Sequence, residues 1–458
     1  MREGHPPPSP LRAVAVAPPP GKAALALTAS DCFAGVRNGG SDMSDIDVAV
    51  IGAGAAGIAA ARRLSGSDLT VRVLEARTRI GGRAWTLAGA ASLDVGLDLG
   101  CGWLHSAIDN EWTTLADELG FAIDTAQPAW SKPALEYGFP ADRQSEFRAA
   151  LDDLFERLDH AGQAHDDRPA ADLLPQDRRW HDLLDAVSTW INGVELTELS
   201  VRDLFRYVDT GVNWRVREGY GTLIAAAARG LDIVCDCPVE AIDHAGRTLE
   251  IDTPYGTLSA RAAILTLPTD VLAKEAVRFS PALPDKIAAA AALPLGLADK
   301  VFLRIVGAHD LPIERRLYGA TAGEIASFHL RPFGSDLIEV YLGGDLARRL
   351  EDDDGRAMFA FAADQFVDRM GADMRKRISF VAASAWARDP FSRGSYSYAR
   401  VGMSDRRAAL AAPVEDRLFF AGEATSREDF STAHGAYRSG VRAAEEAIAA
   451  LAAPKRPA

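Results

Sequence analysis

Apolar residues at Ile46, Val48, Val50 and Ile51 give way to Gly52-Ala53-Gly54-Ala55-Ala56-Gly57, and an Ala-rich apolar segment follows from Ile58 to Leu64. This pattern predicts a short buried strand, a glycine turn and a helix. A second strand is predicted over Thr70 to Leu74, ending on Glu75. Near the other end, an apolar strand from Arg417 to Ala421 runs into Gly422-Glu423, and a helix from about Thr432 through Tyr437 and Val441 to Leu451 repeats the order. Between these ends, Phe147, Leu151, Leu154, Phe155 and Leu158 recur at helical spacing and predict an amphipathic helix. The longest apolar run, Ile287 to Ala298, is broken by Pro294 and falls short of the ~20 residues a membrane span needs, so no bilayer-crossing segment is expected.

Composition changes this picture in three places. With 458 residues, 48% of them hydrophobic, the chain is long enough for two domains with substantial cores. Its first 44 residues are Pro-rich and unlike the rest; they are expected to be disordered or a spurious extension, with Met43 the true start. The net charge of −14 is spread along the chain and disfavours nucleic acid and anionic membrane as partners. The four cysteines (Cys32, Cys101, Cys235, Cys237) are too few for a disulfide framework and have no histidine at zinc spacing. A cytoplasmic, metal-free protein is expected, with Cys235 and Cys237 on one face of a strand.

The glycine turn carries the first chemistry. Gly52 permits the tight turn, Gly54 lets backbone approach a pyrophosphate, and Gly57 lets helix and strand pack closely with the helix N-terminus aimed at phosphate. Glu75 lies near the ~20-residue spacing of an acid that accepts ribose hydroxyls. These residues imply a bound dinucleotide and leave NAD and FAD both open. The next segment points to FAD, because Arg77 and Ile80-Gly81-Gly82-Arg83 place flexible backbone and a fixed cation along a second stretch of pyrophosphate and ribityl chain. At the far end, the Glu423 carboxylate is expected to accept from ribityl hydroxyls. The N-terminus of the last helix is expected to face the flavin pyrimidine, where its dipole favours the reduced form.

In order along the chain these motifs, joined by Gly100-Cys101-Gly102-Trp103-Leu104-His105, Gly219-Tyr220-Gly221, Thr266-Leu267-Pro268, Lys300, Trp386, Arg393-Gly394-Ser395-Tyr396 and His434-Gly435-Ala436, resemble the flavin amine oxidase family. That family includes monoamine oxidases, polyamine and spermine oxidases and lysine-specific histone demethylases. The resemblance covers residues 45 to 452 and is nearest to the polyamine and spermine oxidase branch. It implies an α/β fold: a Rossmann-like FAD-binding domain from residues 45–105, 215–285 and 411–452, interleaved with an α+β substrate-binding domain from 106–214 and 286–410. It further implies that Ala56, Ala76, Gly82 and Arg83 line the cofactor, Val239 backs the adenine, and Gly100, Gly102, Trp103 and Leu104 pass along the flavin. Thr432 and Ala433 should lie at the pyrimidine edge.

The implied reaction is hydride transfer from the amine α-carbon to flavin N5, giving an imine and then an aldehyde, with O2 reduced to H2O2. The implied partners are a small-molecule amine, primary or secondary and of polyamine type, and O2, on a monomer or homodimer. Lys300 is expected to begin a half-buried strand and, by resemblance, to hold a water at N5, with burial lowering its pKa. Trp386 and Tyr396 should wall the approach of the amine, and His105 should contact it. Ser395 stands where monoamine oxidases carry the cysteine bonded to flavin, so the FAD is expected to be noncovalent. The second aromatic of the monoamine oxidase cage falls on Ala436 or, shifted by one, on Tyr437. The nearest rival is an L-amino-acid oxidase or monooxygenase, which needs a buried arginine to clamp a carboxylate; Arg206, Arg215 and Arg331 are available. A flavoprotein interaction scaffold is a more distant one. Glu195, Glu198 and Asp209 are the acids in the expected substrate domain.

Overall fold

The computed structural model describes residues 45–87 and 95–452, so the expectations for the first 44 residues and Cys32 fall outside it. Strand Ile46–Ile51 is buried almost throughout. It lies between Gly256–Leu265 and Val71–Leu74, parallel to both. Ile233–Val234 extends the parallel set beyond Val71–Leu74, and Leu418–Phe420 pairs in parallel with the last residues of Gly256–Leu265. An antiparallel ribbon, Ala241–Asp243 and Leu249–Thr253, completes much of this eight-stranded sheet. The near-continuous apolar runs in its central strands reflect cover on both faces.

Helices Ala55–Leu64 and Ala433–Ala452 share one of those faces, in a core built from Val48, Val50, Ala60, Phe419 and Ala443. Small residues bring the two helices together: a Cβ on Gly440 would lie 2.1 Å from the Ala56 carbonyl oxygen. The two glycine turns, from opposite ends of the sequence, therefore open side by side.

A second, five-stranded antiparallel sheet runs in the order Arg315–Tyr318, Ser327–Leu330, Leu337–Gly343, Ala298–Ile305, Ile378–Ala383. Helix Arg356–Met370 packs Met358, Ala362 and Phe366 into its core. Lys300 is not the start of a half-buried strand, as expected, but the third residue of the almost wholly buried Ala298–Ile305. Its cross-strand neighbour is Tyr341, which in turn pairs with Ser327. Helices Ala141–Gln163 and His181–Asn192 build a further core around Phe147, Trp180 and Leu184. Phe147, Leu154 and Leu158 are buried on the predicted stripe, whereas Phe155 is 51% exposed.

Cys235 and Cys237 do not share a strand. The strand ends at Val234, and Asp236 between them has φ of 56°, which breaks the period-two alternation. Cys101 and Cys237 are free thiols. Among the described residues no helix is long and apolar enough to cross a membrane.

Candidate active site

A cavity of about 1140 Å³ runs between the two sheets, larger than the ~300–1,000 Å³ of a typical small-ligand pocket. Its glycine-lined end is made by Gly52, Gly54, Glu75, Gly82, Val239 and Thr432. Gly52 has φ of 105°, a conformation that favours glycine. Gly57 sits behind the turn, where a Cβ would lie 1.8 Å from the Gly52 carbonyl oxygen. The buried Glu75 carboxylate accepts from the Ala53 amide (2.7 Å) and the Arg77 amide (2.9 Å), which fixes it at the cavity edge. Ala56, Ala76, Arg77, Arg83, Gly100, Gly102, Trp103, Gly422, Glu423 and Ala433 also line the cavity.

Leu104 does not. It is fully buried with Ile58, Ala84 and Tyr220, and its backbone N–H and carbonyl pair with those of Trp214. Glu423 also departs from expectation. Its two oxygens accept from Arg83 Nη1 (2.9 Å), Ser397 N (3.2 Å), Ser397 Oγ (2.6 Å) and Ser431 N (2.9 Å). A carboxylate has about four lone-pair sites. Glu423 therefore acts as a clamp joining the two halves of the sequence rather than as a free acceptor for ribityl hydroxyls.

At the last helix, Gly435 N donates to Thr432 Oγ1 (3.0 Å) and Ala436 N to Thr432 O (3.1 Å). The remaining first-turn amides, at Ala433 and His434, have no intrahelical acceptor, and Ala433 lines the cavity. This matches the predicted electropositive helix end.

The second sheet supplies the far wall. Lys300 Nζ lies 2.9 Å from Glu339 Oε1, 2.9 Å from the Asp98 carbonyl oxygen and 5.2 Å above the Tyr341 ring. Burial alone would lower this ammonium, but the Glu339 carboxylate outweighs it and holds Lys300 above the ordinary lysine value. The expected downward shift is thus reversed, because the lysine is buried with a partner rather than alone. Glu339 in turn meets His329 Nδ1 at 3.4 Å, and His329 Nε2 meets Glu314 at 2.7 Å. Arg215 contacts Glu314 at 2.8 Å and Asp124 at 2.6 Å. Burial opposes ionisation of Glu314, yet His329 and Arg215 hold it down at about 2. Sequence reasoning missed this alternating chain of charges. Its trace was there in Glu339 and His329, ionisable residues within largely apolar strands.

Asp98, pushed up to about 6 by burial, accepts from Thr86 Oγ1 (2.5 Å) and from the Tyr220 (3.0 Å) and Gly221 (3.3 Å) amides. This explains the Gly219-Tyr220-Gly221 motif, since a Cβ on Gly221 would lie 2.6 Å from the Thr86 amide nitrogen.

Trp386 is held by its indole N–H on the Leu99 carbonyl (3.0 Å), and Tyr396 donates its hydroxyl to the Trp190 carbonyl (2.9 Å). Both line the cavity, as does His105. His105 Nδ1 lies 2.5 Å from Asn213 Oδ1, and Asn213 Nδ2 donates to Gly211 O (3.2 Å), which aims the amide oxygen at the ring. That oxygen only accepts, so the ring proton sits on Nδ1 and Nε2 is an acceptor; burial lowers the imidazole pKa and keeps it neutral. Ala436 lines the cavity, whereas Tyr437 packs on Trp112 with ring centroids 5.2 Å apart. The position left open by the sequence is therefore Ala436, and no second tyrosine stands opposite Tyr396 there.

The arginines foreseen as carboxylate clamps are engaged elsewhere. Arg206 pairs with Asp405 (2.7 Å), Arg215 lies in the charge chain, and Arg331 donates to the Leu311 carbonyl (2.9 Å). Of the acids, Glu195 accepts from the Asp345 amide (2.8 Å), Glu198 is exposed, and Asp209 lines the cavity.

A family profile described as flavin containing amine oxidoreductase matches residues 55–206 and 200–448. The chain is 30% identical to polyamine oxidase 4 of Oryza sativa subsp. japonica over 87% of its own length and 88% of that protein's. The chain belongs to the flavin amine oxidase family. It is 28% identical to lysine-specific histone demethylase 2 of Homo sapiens over 89% of its own length and 54% of that protein's. Among solved structures, putrescine oxidase bound to putrescine superposes with TM-score 0.72 at 19% identity, covering 89% of this chain and 99% of that one. Cyclohexylamine oxidase from Brevibacterium oxydans IH-35A gives TM-score 0.72 at 22% identity, covering 89% and 100%.

As a flavin amine oxidase the protein binds FAD. The cavity fits such a group on its own terms, since the glycine turns leave room beside two helix N-termini. A further residue, Arg393, lines the cavity with its buried Nε atom lacking a hydrogen-bond partner in the protein, as an anion-binding group would. Sequence reasoning quoted Arg393 within a motif and gave it no task. Arg393→Met is expected to weaken FAD retention by about tenfold or more, the scale of one charge-assisted hydrogen bond. Equilibrium dialysis followed by flavin absorbance checks this; unchanged retention would show that the guanidinium serves only the loop.

Proposed function

We propose that this flavin amine oxidase oxidises a primary or secondary amine, of the polyamine type or related to it, at the carbon next to nitrogen. The amine becomes an imine that hydrolyses to an aldehyde, and O2 is reduced to H2O2. The observation that carries this reading is the placement of Tyr396, Trp386 and Lys300 around one cavity whose other end is the dinucleotide turn. When bound, FAD supplies the hydride acceptor and the route for electrons to oxygen.

The protein's part is orientation and charge. Tyr396 and Trp386, each pinned by a hydrogen bond to backbone, restrict how an amine approaches between them. His105 presents a neutral acceptor through Nε2, suited to an amine N–H. Lys300 keeps a fixed positive charge in a buried setting. Glu75 at the ribose, Val239 at the adenine, and the Gly100 to Trp103 segment with Thr432 and Ala433 at the flavin follow from the family resemblance and their positions on the cavity wall.

Ser395 supports noncovalent FAD, because it has no thiol and its hydroxyl is occupied by the Ala298 amide and carbonyl, both at 2.9 Å. On this reading residues 45–105, 215–285 and 411–452 form the cofactor domain, and 106–214 and 286–410 the substrate domain. The enzyme acts on small molecules in the cytoplasm, as a monomer or homodimer.

Anaerobic mixing of the yellow holoenzyme with spermine, spermidine, putrescine, a monoamine and several L-amino acids tests the reading through flavin bleaching. Bleaching by amines is expected; bleaching by L-amino acids alone would overturn it.

A further inference from the structure

The geometry points to a substrate amine whose far end carries a carboxylate, received by Arg316. This inference rests on the amine oxidase reading and narrows it.

Arg316 lies on Arg315–Tyr318, the edge strand of the second sheet, and lines the same cavity as Lys300 and Tyr396. Its guanidinium sits 5.9 Å from the Trp190 ring centroid and 5.5 Å from that of Tyr318, and Nη1 donates to the Tyr318 hydroxyl (3.2 Å). Among the described residues no carboxylate forms an ion pair with it. Lys300 on the same wall differs, because it has Glu339. Arg316 is thus a cation held on an aromatic platform with most of its donors free, in a fork geometry that matches a carboxylate.

The remaining charges of the substrate end favour the same sign of ligand. Lys132 also lines it and forms no ion pair among the described residues. The acids there are Asp159, which is exposed and accepts from Gln163 (2.6 Å), and Asp209, which accepts from Ser106 Oγ (3.1 Å) and the Gly211 amide (2.9 Å).

Distance sets where on the substrate the anion sits. The strands of Lys300 and Arg316 are separated by two others and Arg316 lies two residues along from the row of Lys300, so three inter-strand steps of ~4.8 Å and two residues of ~3.4 Å place their backbones about 16 Å apart. A carboxylate on the reacting carbon itself, as in an α-amino acid, would lie beside Lys300 and out of reach of Arg316. The amine and the carboxylate are therefore at opposite ends of a chain, as in an ω-amino acid.

The test uses the holoenzyme with aminocaproate, hexamethylenediamine and hexylamine, which share one reacting end and differ at the other. Anaerobic flavin bleaching is expected to show an apparent Kd for aminocaproate lower than that for the diamine by about tenfold or more. In Arg316→Met this preference should vanish, the apparent Kd values of aminocaproate and the diamine becoming alike. A readout independent of turnover is titration with adipate, which carries no amine. It should perturb the flavin spectrum or raise the melting temperature of the native holoenzyme and not of Arg316→Met. Bleaching that favours the diamine, or an adipate response unchanged in Arg316→Met, would overturn the inference and leave the amine oxidase reading standing. Bleaching by none of the three amines would remove both.

Discussion

Replacing Lys300 with methionine should lower oxygen-dependent turnover by about 10²-fold or more, the usual scale for removing a preorganised charge from a buried reaction site. The ammonium is buried, and Glu339 holds it charged rather than neutral. Negative charge that builds up during oxygen reduction would be stabilised beside it, whereas the reductive half-reaction gains little from a cation. Stopped-flow measurement of the two half-reactions should therefore show reoxidation slowed far more than anaerobic bleaching. The same substitution leaves the Glu339 carboxylate buried without its ammonium, at a cost of about 3–5 kcal/mol of stability. Adding Glu339→Gln should recover part of that stability without restoring reoxidation. If the double variant regains oxygen reactivity, the lysine acts only through packing.

The largest effect on stability is expected at Arg407, which is fully buried and grips Asp203 through Nε (2.8 Å) and Nη2 (2.7 Å). Its Nη1 donates to Ser397 Oγ (2.9 Å), the same hydroxyl that donates to Glu423, and its guanidinium lies 3.8 Å from the Phe430 ring centroid. Arg407→Leu leaves the Asp203 carboxylate in the core and should cost about 3–5 kcal/mol, with loss of flavin following through Glu423. Urea denaturation followed by flavin fluorescence checks both parts. Combining it with Asp203→Asn should cost less than the sum of the single changes, as neighbours in one network do. Strict additivity would show that the pair does not interact.

Local patterns were readable from the sequence alone. The strand, Gly52 turn and helix, the acid at Glu75 and the second turn before the last helix each depend on residues within a short stretch, and all are present as expected. What failed depended on register between distant segments. The charge state of Lys300 is set by Glu339, two strands' worth of chain away and adjacent only because Ala298–Ile305 pairs with Leu337–Gly343. Leu104 was placed at the cofactor with its neighbours, but its side chain is fully buried with Ile58 and Tyr220, away from the cavity wall. Arg407 and Arg316 look like any other arginines in the sequence; only packing leaves one saturated and the other open.

The clamp between Arg83 and Glu423, with the contact of Gly440 on Ala56, sets an order of events during synthesis. The ribosome delivers the first glycine turn early and the Leu418–Phe420 strand and its helix last. Until those last segments emerge, the cleft lacks the wall that carries Gly422, Thr432 and Ala433, and the Arg83 guanidinium has no Glu423 to close on. Flavin capture in this chain should thus wait on that wall, and a message truncated ahead of Leu418 is expected to yield a colourless protein rather than a slow oxidase, which the absorbance of the purified product checks.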